Sequence, residues 1–345
     1  MKNKNFSKIN IIYFLALMLV AIIFLLGYTG ILQNEFLTSF LIQIVVMFAV
    51  PLLMYKLLMK KSLKETFTDC GFKKISGKMV AISIILGFVL YFINSFVADA
   101  FYGIISLFGY ESLSGSTNIT LNYGTIFKEF VLSCILPGFC EEFLHRGILL
   151  HASKKHTNTK FCLIISSILF GLTHLNIRQF FYAAILGFLM GLVTLVADSI
   201  IPSIIIHFMN NFLSNYFFYG NYLDWPVAKF FNFVTNLFMS DAIIYILTSS
   251  IAVILLILIY NYLLKCLMRE RAKNDIQHIV KALQMEKLSL IQAQIQFNQI
   301  NQLLKHKHIQ EQNKPKPCFS SNIFLISSIV LGSLITISSF IWGVI

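Results

Sequence analysis

Two adjacent glutamates, Glu141 and Glu142, stand inside an apolar stretch, and Arg146 follows four residues after the second. An ionisable side chain at the centre of a membrane helix costs about 2.5–3.5 kcal/mol, so such residues are candidates for function. On a helix Glu142 and Arg146 can pair, whereas Glu141 faces about 100° away, beside His145. The sequence therefore predicts that Arg146 neutralises one carboxylate and that the other, desolvated, can act as a general base.

Two further apolar stretches contain a histidine, Phe170-x-x-x-His174 and His207-x-x-x-Asn211. At about 1.5 Å per helical residue from the cytosolic flank, Glu141, His174 and His207 lie at depths of about 20, 21 and 14 Å. A carboxylate, two imidazoles and an amide at one depth can activate a water and stabilise an oxyanion, as peptide-bond hydrolysis requires. We therefore expect all four groups in one membrane-embedded cavity that opens toward the cytoplasm.

The elements that must position these residues are membrane helices. The chain of 345 residues is 57% hydrophobic and 12% charged, which excludes a water-soluble globule. The predicted fold class is all-α, a polytopic membrane helix bundle with about 8–9 transmembrane helices. Nine apolar runs have the length of spans: 9–26, 36–58, 79–107, 125–153, 160–177, 180–198, 200–219, 242–263 and 320–344.

The charges predict an orientation in the membrane. The net charge of +12 comes from lysines and arginines in short runs between the apolar stretches, which is typical of cytoplasmic loops and not of a nucleic-acid groove. The loops between them, 27–35 and 109–124, contain only Glu35 and Glu111 as charged residues. We expect an integral protein of the bacterial cytoplasmic membrane, with a cytoplasmic N-terminus and no nucleic-acid partner.

Changes of composition divide the chain into five parts. An N-terminal transmembrane pair with a basic cytoplasmic loop (1–78) precedes the core (79–219), which is followed by an interfacial helix and a transmembrane helix (220–264). A polar segment (265–318) and a C-terminal transmembrane helix (319–345) complete it. In the polar segment apolar residues recur every seven positions, which predicts a cytoplasmic amphipathic helix. We expect this helix either to lie on the surface of the protein or the membrane, or to bind a protein partner or a second copy of the chain through 276–304.

The ordered motifs Glu141-Glu142-x-x-x-Arg146, Phe170-x-x-x-His174 and His207-x-x-x-Asn211 resemble those of the CPBP family of intramembrane proteases. That family includes type 2 CAAX prenyl endopeptidases and bacterial proteins linked to bacteriocin processing or self-immunity. The resemblance covers roughly 79–219. It implies an intramembrane endopeptidase in which Glu141 and His174 activate the water, while His207 and Asn211 stabilise the oxyanion. Glu142 and Arg146 would position the helix or the substrate carboxylate.

Three alternatives stay open. Glu141, His174 and His207 could hold Zn²⁺ with a water as fourth ligand. The absence of a His-x-x-x-His pair, and the amide of Asn211, favour a mechanism without a cofactor. The same fold could also serve as a non-catalytic membrane scaffold, or as a bacteriocin-immunity or regulatory protein. The substrate, a peptide or a membrane protein, with or without a prenyl group, is not determined by these motifs.

Overall fold

A computed structural model describes residues 4–111, 122–239, 242–285 and 322–344. These described residues form eleven helices and no strand, so the predicted all-α bundle is confirmed. The helices are α1 (Lys4–Tyr28), α2 (Glu35–Met59), α3 (Leu63–Asp69), α4 (Gly77–Ser106), α5 (Tyr123–Lys155), α6 (Thr159–Leu172), α7 (Ile177–Ala197), α8 (Ile201–Tyr222), α9 (Pro226–Met239), α10 (Ala242–Met285) and α11 (Ile323–Val344).

Among the described residues, seven helices are long and apolar enough to cross a membrane: α1, α2, α4, α5, α7, α10 and α11. The two other predicted spans are also helical, but α8 is more polar, and α6 has only 14 residues. At about 1.5 Å per residue α6 is about 21 Å long, shorter than the hydrocarbon core of about 30 Å. The predicted span 160–177 thus ends earlier than expected, because the chain turns at 173–176 before it enters α7.

Long-range packing joins the helices through two apolar clusters. In the first, the face of α1 formed by Ile9, Ile12 and Ala16 is fully buried against α2, α5 and α6. In the second, α4, α7, α8 and α10 surround Leu90 and Met190. Helices α5 and α8 and the C-terminal end of α6, which position the predicted site residues, lie where the two clusters meet. His174 itself lies in the turn that follows α6.

The basic end of the bundle is the end at which the lysine-rich loops meet. There Lys8 Nζ donates to the carbonyl of Leu58 at 2.8 Å, and Asp198, between α7 and α8, pairs with Lys73 and Lys154. Burial raises the pKa of Asp198, but the hydrogen bond from His151 and the charge of Lys154 outweigh it and hold this pKa well below its usual range. A partly buried carboxylate therefore joins loops and helices that are far apart in sequence.

The far end is the opposite end of the bundle. Here the backbone N–H of Glu111 donates to the carbonyl of Gly343 at 2.8 Å. The rings of Tyr28 and Trp342 lie 5.6 Å apart, so α1, α11 and the end of α4 converge. The unequal distribution of lysines between the two ends agrees with the alternation of loops in the sequence.

Helix α10 combines the last predicted span before the polar segment with the start of that segment. It runs without a break from Ala242 to Met285. Residues 265–285 are therefore helical, and Ile276 is exposed. The other members of the seven-residue pattern that lie beyond 285, Leu290, Phe297 and Leu304, are outside the described residues.

Candidate active site

Glu142 is fully buried and is bound by two side-chain donors through one carboxylate oxygen. Its Oε1 accepts hydrogen bonds from Arg146 Nη1 at 2.7 Å and from His207 Nδ1 at 2.9 Å. The i, i+4 pair expected from the sequence is present. Within the described part of the chain Oε2 has no partner. This carboxylate is held between two donors and is poorly placed to take a proton from a substrate water.

Glu141 has a different environment from its neighbour. It is half-buried, and its Oε1 accepts a hydrogen bond from Gln43 Nε2 of α2 at 2.8 Å. Gln43 was missed in the sequence, although it is a polar residue within the apolar run 36–58. An amide donor holds the carboxylate in place without neutralising its charge.

Arg146 is positioned by two further groups besides Glu142. Its guanidinium lies 4.2 Å from the centre of the Phe170 ring, and Nη2 donates to the carbonyl of Gly187 at 3.3 Å. A Cβ at Gly187 would come within 3.0 Å of Phe170 Cδ1 and 3.4 Å of Arg146 Nη2. The glycines of α7 indicated only helix packing in the sequence, but Gly187 also admits this buried cation.

Phe170 brings three histidines together. Its ring centre lies 5.0, 5.2 and 5.7 Å from those of His145, His174 and His207. His174 Nδ1 lies 2.9 Å from the carbonyl of Phe170, which only accepts, so the proton is on Nδ1 and Nε2 can accept one. His174 therefore has the tautomer that a base requires.

His145 is a structural member of the same group. Its Nδ1 donates to the carbonyl of Glu141 at 2.8 Å, and Nε2 lies 3.0 Å from the hydroxyl of Thr173. The hydroxyl of Tyr13 on α1 donates to the carbonyl of Leu169 at 2.8 Å and lies 3.4 Å from Thr173. Both imidazole nitrogens of His145 are thus occupied. No pattern in the sequence identified Tyr13 or Thr173.

The side chain of Asn211 is held by the backbone carbonyl of Ser133, which lacks its usual α-helical donor because residue 137 is a proline. Pro137 has no N–H, so it cannot make the α-helical hydrogen bond to the carbonyl of Ser133 four residues earlier. Asn211 Nδ2 donates to that carbonyl at 2.8 Å, and its Oδ1 accepts from Asn210 Nδ2 at 3.1 Å. The second proton on Asn211 Nδ2 remains available to a ligand.

A cavity of about 1180 Å³ reaches this region from the far end of the bundle. Its lining includes His174 and Asn211 together with Tyr28, Glu111 and Trp342, but neither Glu141 nor His207. Of the four predicted groups, His174 and Asn211 line this cavity, which opens at the end opposite the lysine-rich loops. The predicted opening toward the cytoplasm stays a prediction. Depth along a helix does not give the direction of a side chain, and the side chains of Glu141 and His207 turn toward neighbouring helices.

The three residues considered for zinc do not form a ligand set. Among the described residues, no group of three or more His, Cys, Asp or Glu is placed to hold a metal ion. His207 turns its Nδ1 to Glu142, and Glu141 is bound by Gln43. The residues present do not fit a zinc site, and we derive no step through a metal.

Comparison with known families finds a match in the middle of the chain. Residues 124–213 match the family described as type II CAAX prenyl endopeptidase Rce1-like. This segment is similar to an Rce1-like domain. The resemblance to CAAX-type intramembrane proteases is confirmed, and the domain contains every motif residue from Glu141 to Asn211. No curated protein and no solved structure matches the chain.

The Rce1-like domain supports a CAAX-type protease in general. It begins in α5 and ends in α8, so Gln43 of α2 and Tyr13 of α1 lie outside it. Helices that precede the domain therefore supply contacts to Glu141 and to the Thr173–His145 pair.

Proposed function

We propose that the chain is an intramembrane endopeptidase that hydrolyses a peptide bond in or next to the membrane without a metal ion. The observation that carries the proposal is the contrast between the two adjacent carboxylates. Glu142 is bound by Arg146 and His207, whereas Glu141 receives a single amide donor. Two neighbouring carboxylates in opposite environments provide separate groups for structure and for proton transfer.

In this proposal His174 and Glu141 handle the proton of the attacking water. His174 lines the cavity, and its Nε2 can accept a proton. Glu141 interacts electrostatically with His174, so its negative charge favours the imidazolium that forms. The expected sequence is proton transfer from water to His174, attack on the carbonyl, and return of the proton to the leaving amine.

The oxyanion of the tetrahedral intermediate is stabilised by His207 and Asn211. Asn211 offers its second Nδ2 proton. His207 already donates through Nδ1 to Glu142, so it can donate to the oxyanion through Nε2 only when it is an imidazolium. A buried carboxylate that accepts from one ring nitrogen thus makes the histidine a stronger electrostatic donor at the other nitrogen.

A cleavage assay with purified full-length protein in lipid nanodiscs tests the proposal. The probes are farnesylated peptides with a CAAX end and unprenylated hydrophobic peptides, and products are detected by mass spectrometry. We expect Glu141→Gln to abolish cleavage, while Glu35→Gln, at an exposed glutamate at the start of α2, keeps it. If Glu141→Gln cleaves like the wild type, or if no peptide is cleaved, the enzymatic proposal fails and a scaffold of the same fold remains.

We also propose that the protein lies in the bacterial cytoplasmic membrane with its N-terminus inside. The support is the convergence of the lysine-rich loops at the basic end, where α1 begins. A protein partner or self-association through 276–304 remains a proposal, since most of that range is outside the described residues.

A further inference from the structure

Gln43 is a buried polar residue in an apolar stretch of α2, Leu41–Ala49. Its Nε2 donates to Glu141 Oε1 at 2.8 Å, whereas its Oε1 has no hydrogen-bond partner among the described residues. A buried acceptor without a donor costs free energy, so an apolar side chain of the same size would avoid this cost. The amide is therefore poorly explained by stability and better explained by its contact with Glu141.

The orientation of this amide is set by the group that it faces. A carboxylate only accepts hydrogen bonds, so the NH₂ group of Gln43 points to Glu141 and its oxygen points away. The opposite orientation would bring two acceptor oxygens together. One polar group of Gln43 is thus left unsatisfied while the other binds Glu141.

The local shape of α2 turns Gln43 toward this place. Over Leu41–Ala49 the backbone hydrogen bonds join residues five positions apart, so each turn is wider than in an α-helix. At about 100° per residue, two residues five positions apart are about 140° apart around an α-helix, and a wider turn brings them nearer to one face. Gln43 and Phe48 are such a pair, and both contact α5.

Phe48 fixes α2 against the stretch of α5 that contains Glu141. Its ring centre lies 5.2 Å from that of Phe139 and 5.0 Å from that of Phe143, the residues two positions before and two positions after Glu141. Both ring pairs meet edge to face, an arrangement that aromatic pairs prefer. Packing on both sides of Glu141 therefore holds the donor of Gln43 level with the carboxylate.

A second positive charge competes for the Glu141 carboxylate. The negative charge of Glu141 acts on both His174 and Arg146. Arg146 already binds Glu142 at 2.7 Å, and a mobile Glu141 carboxylate would be drawn toward the same guanidinium. Its charge would then be lost to the imidazolium that forms on His174 in the proposed reaction. The hydrogen bond from Gln43 opposes this movement.

We propose that Gln43 is a positioning residue, which holds the Glu141 carboxylate in place to act on His174 and away from Arg146. Gln43 does not line the cavity, so it acts through Glu141 and not on a substrate. The assignment rests on the proposed function, because it gives Gln43 a part in the same reaction. It also extends the site beyond the matched segment, since α2 precedes residue 124.

Gln43→Met tests the assignment, because methionine has nearly the same length and no donor. With a peptide that the wild type cleaves, we expect kcat to fall about 10- to 100-fold, the effect of losing one hydrogen bond to a charged group, with KM unchanged. Gln43→His keeps an N–H donor and should recover part of the loss. A merely structural role would show neither this recovery nor this separation of kcat from KM.

A spectroscopic measurement on the full-length protein in nanodiscs is independent of cleavage. The infrared difference spectrum between the wild type and Glu141→Gln contains the carboxylate stretching bands of Glu141. We expect these bands to shift when both proteins also carry Gln43→Met, since the carboxylate has lost a donor. Bands at the same frequency in the two difference spectra overturn the assignment, and so does a wild-type kcat in Gln43→Met.

Asn10→Leu is the matched control, because Asn10 is a buried amide of α1 that also has an unpaired atom. It should leave both kcat and the Glu141 bands unchanged. If the wild type cleaves no peptide while the bands still shift in Gln43→Met, the proposed function fails, whereas the hold of Gln43 on Glu141 is confirmed.

Discussion

At the scale of single residues, the Glu142–Arg146 pair is the feature on which the site depends. Both side chains are almost completely enclosed, and each has further polar contacts, to His207 and to Gly187. A buried ion pair contributes little net stability, but the removal of one partner leaves the other charge without compensation. The pair therefore acts as a positional constraint on α5, α7 and α8.

Arg146→Leu should destabilise the fold by about 3–5 kcal/mol, because Glu142 is left as an unpaired buried charge. The double variant Glu142→Gln with Arg146→Leu should recover part of this loss. The measurement is the yield of monodisperse protein and its thermal unfolding in detergent. If Arg146→Leu is as stable as the wild type, the pair is not the constraint described above.

Asn211→Ala should lower kcat by about 100- to 1000-fold, the effect of losing one oxyanion donor, with little change in KM. Asn215→Ala is the control, since Asn215 lies one turn further along α8 and donates to the hydroxyl of Ser133. The assay uses a peptide that the wild type cleaves. Equal kcat values for the two variants would remove Asn211 from the reaction.

The charged residues of the site could be predicted from the sequence, but the groups that hydrogen-bond to them from other helices could not. The pairing of Glu142 with Arg146 follows from helical spacing alone and could be predicted. The contact of Gln43 with Glu141 could not, because it joins helices almost a hundred residues apart and depends on their packing. For the same reason the direction of His207, toward Glu142, was not predictable.

At the scale of elements, two helices of the site depart from α-helical hydrogen bonding. The spacing widens to five residues over Leu41–Ala49 in α2 and over Val131–Ile135 and Phe143–Ala152 in α5. These π-helical segments contain Gln43, Ser133 and Arg146. Such segments are frequent at functional sites, because the extra residue in a turn changes the direction of side chains. Hydropathy predicts a span but not this local change.

Pro137→Ala should make the bundle more stable and the enzyme slower. The new N–H can bond to the carbonyl of Ser133 and compete with Asn211 for it. Pro51→Ala in α2 is the control, since Pro51 also follows a π-helical segment but faces the carbonyl of Met47. We expect a higher unfolding temperature in both variants and a severalfold lower kcat in Pro137→Ala alone. An unchanged kcat in Pro137→Ala would contradict the role of the free carbonyl.

At the scale of the whole molecule, the all-α membrane bundle was predictable and the position of the cavity was not. Every apolar run of sufficient length became a helix, because a bilayer requires each backbone group to be bonded within its segment. The early end of α6 at Leu172 was missed, since Thr173 to Asn176 interrupt hydropathy only weakly. That early end places His174 in the lining of the cavity at the far end.

The basic end predicts a pH dependence. Since the folded-state pKa of Asp198 lies below its ordinary value of about 3.9, its carboxylate stabilises the fold fully above that value and less as the pH falls further. Asp198→Asn should cost about 1.5–3 kcal/mol, constant between about pH 5 and 8 and shrinking below about pH 4. Thermal unfolding followed by circular dichroism measures this.

Asp224→Asn is the control for that experiment, because Asp224 is largely exposed and pairs only with the exposed Lys229. It should leave the unfolding temperature unchanged at every pH. A stability difference for Asp198→Asn that grows as the medium becomes more acidic would contradict the assigned direction of the pKa.

Because α10 runs without a break to Met285, it determines how far from the helix bundle a partner of the polar segment would bind. Arg271 Nη1 donates to the carbonyl of Val196 at 2.9 Å, so this point of α10 lies level with the basic end of the bundle. From there the helix continues to Met285, which adds roughly 21 Å. A partner that binds beyond Met285 would therefore contact the chain in the aqueous phase, away from the lipid headgroups. Such a partner need not itself be a membrane protein.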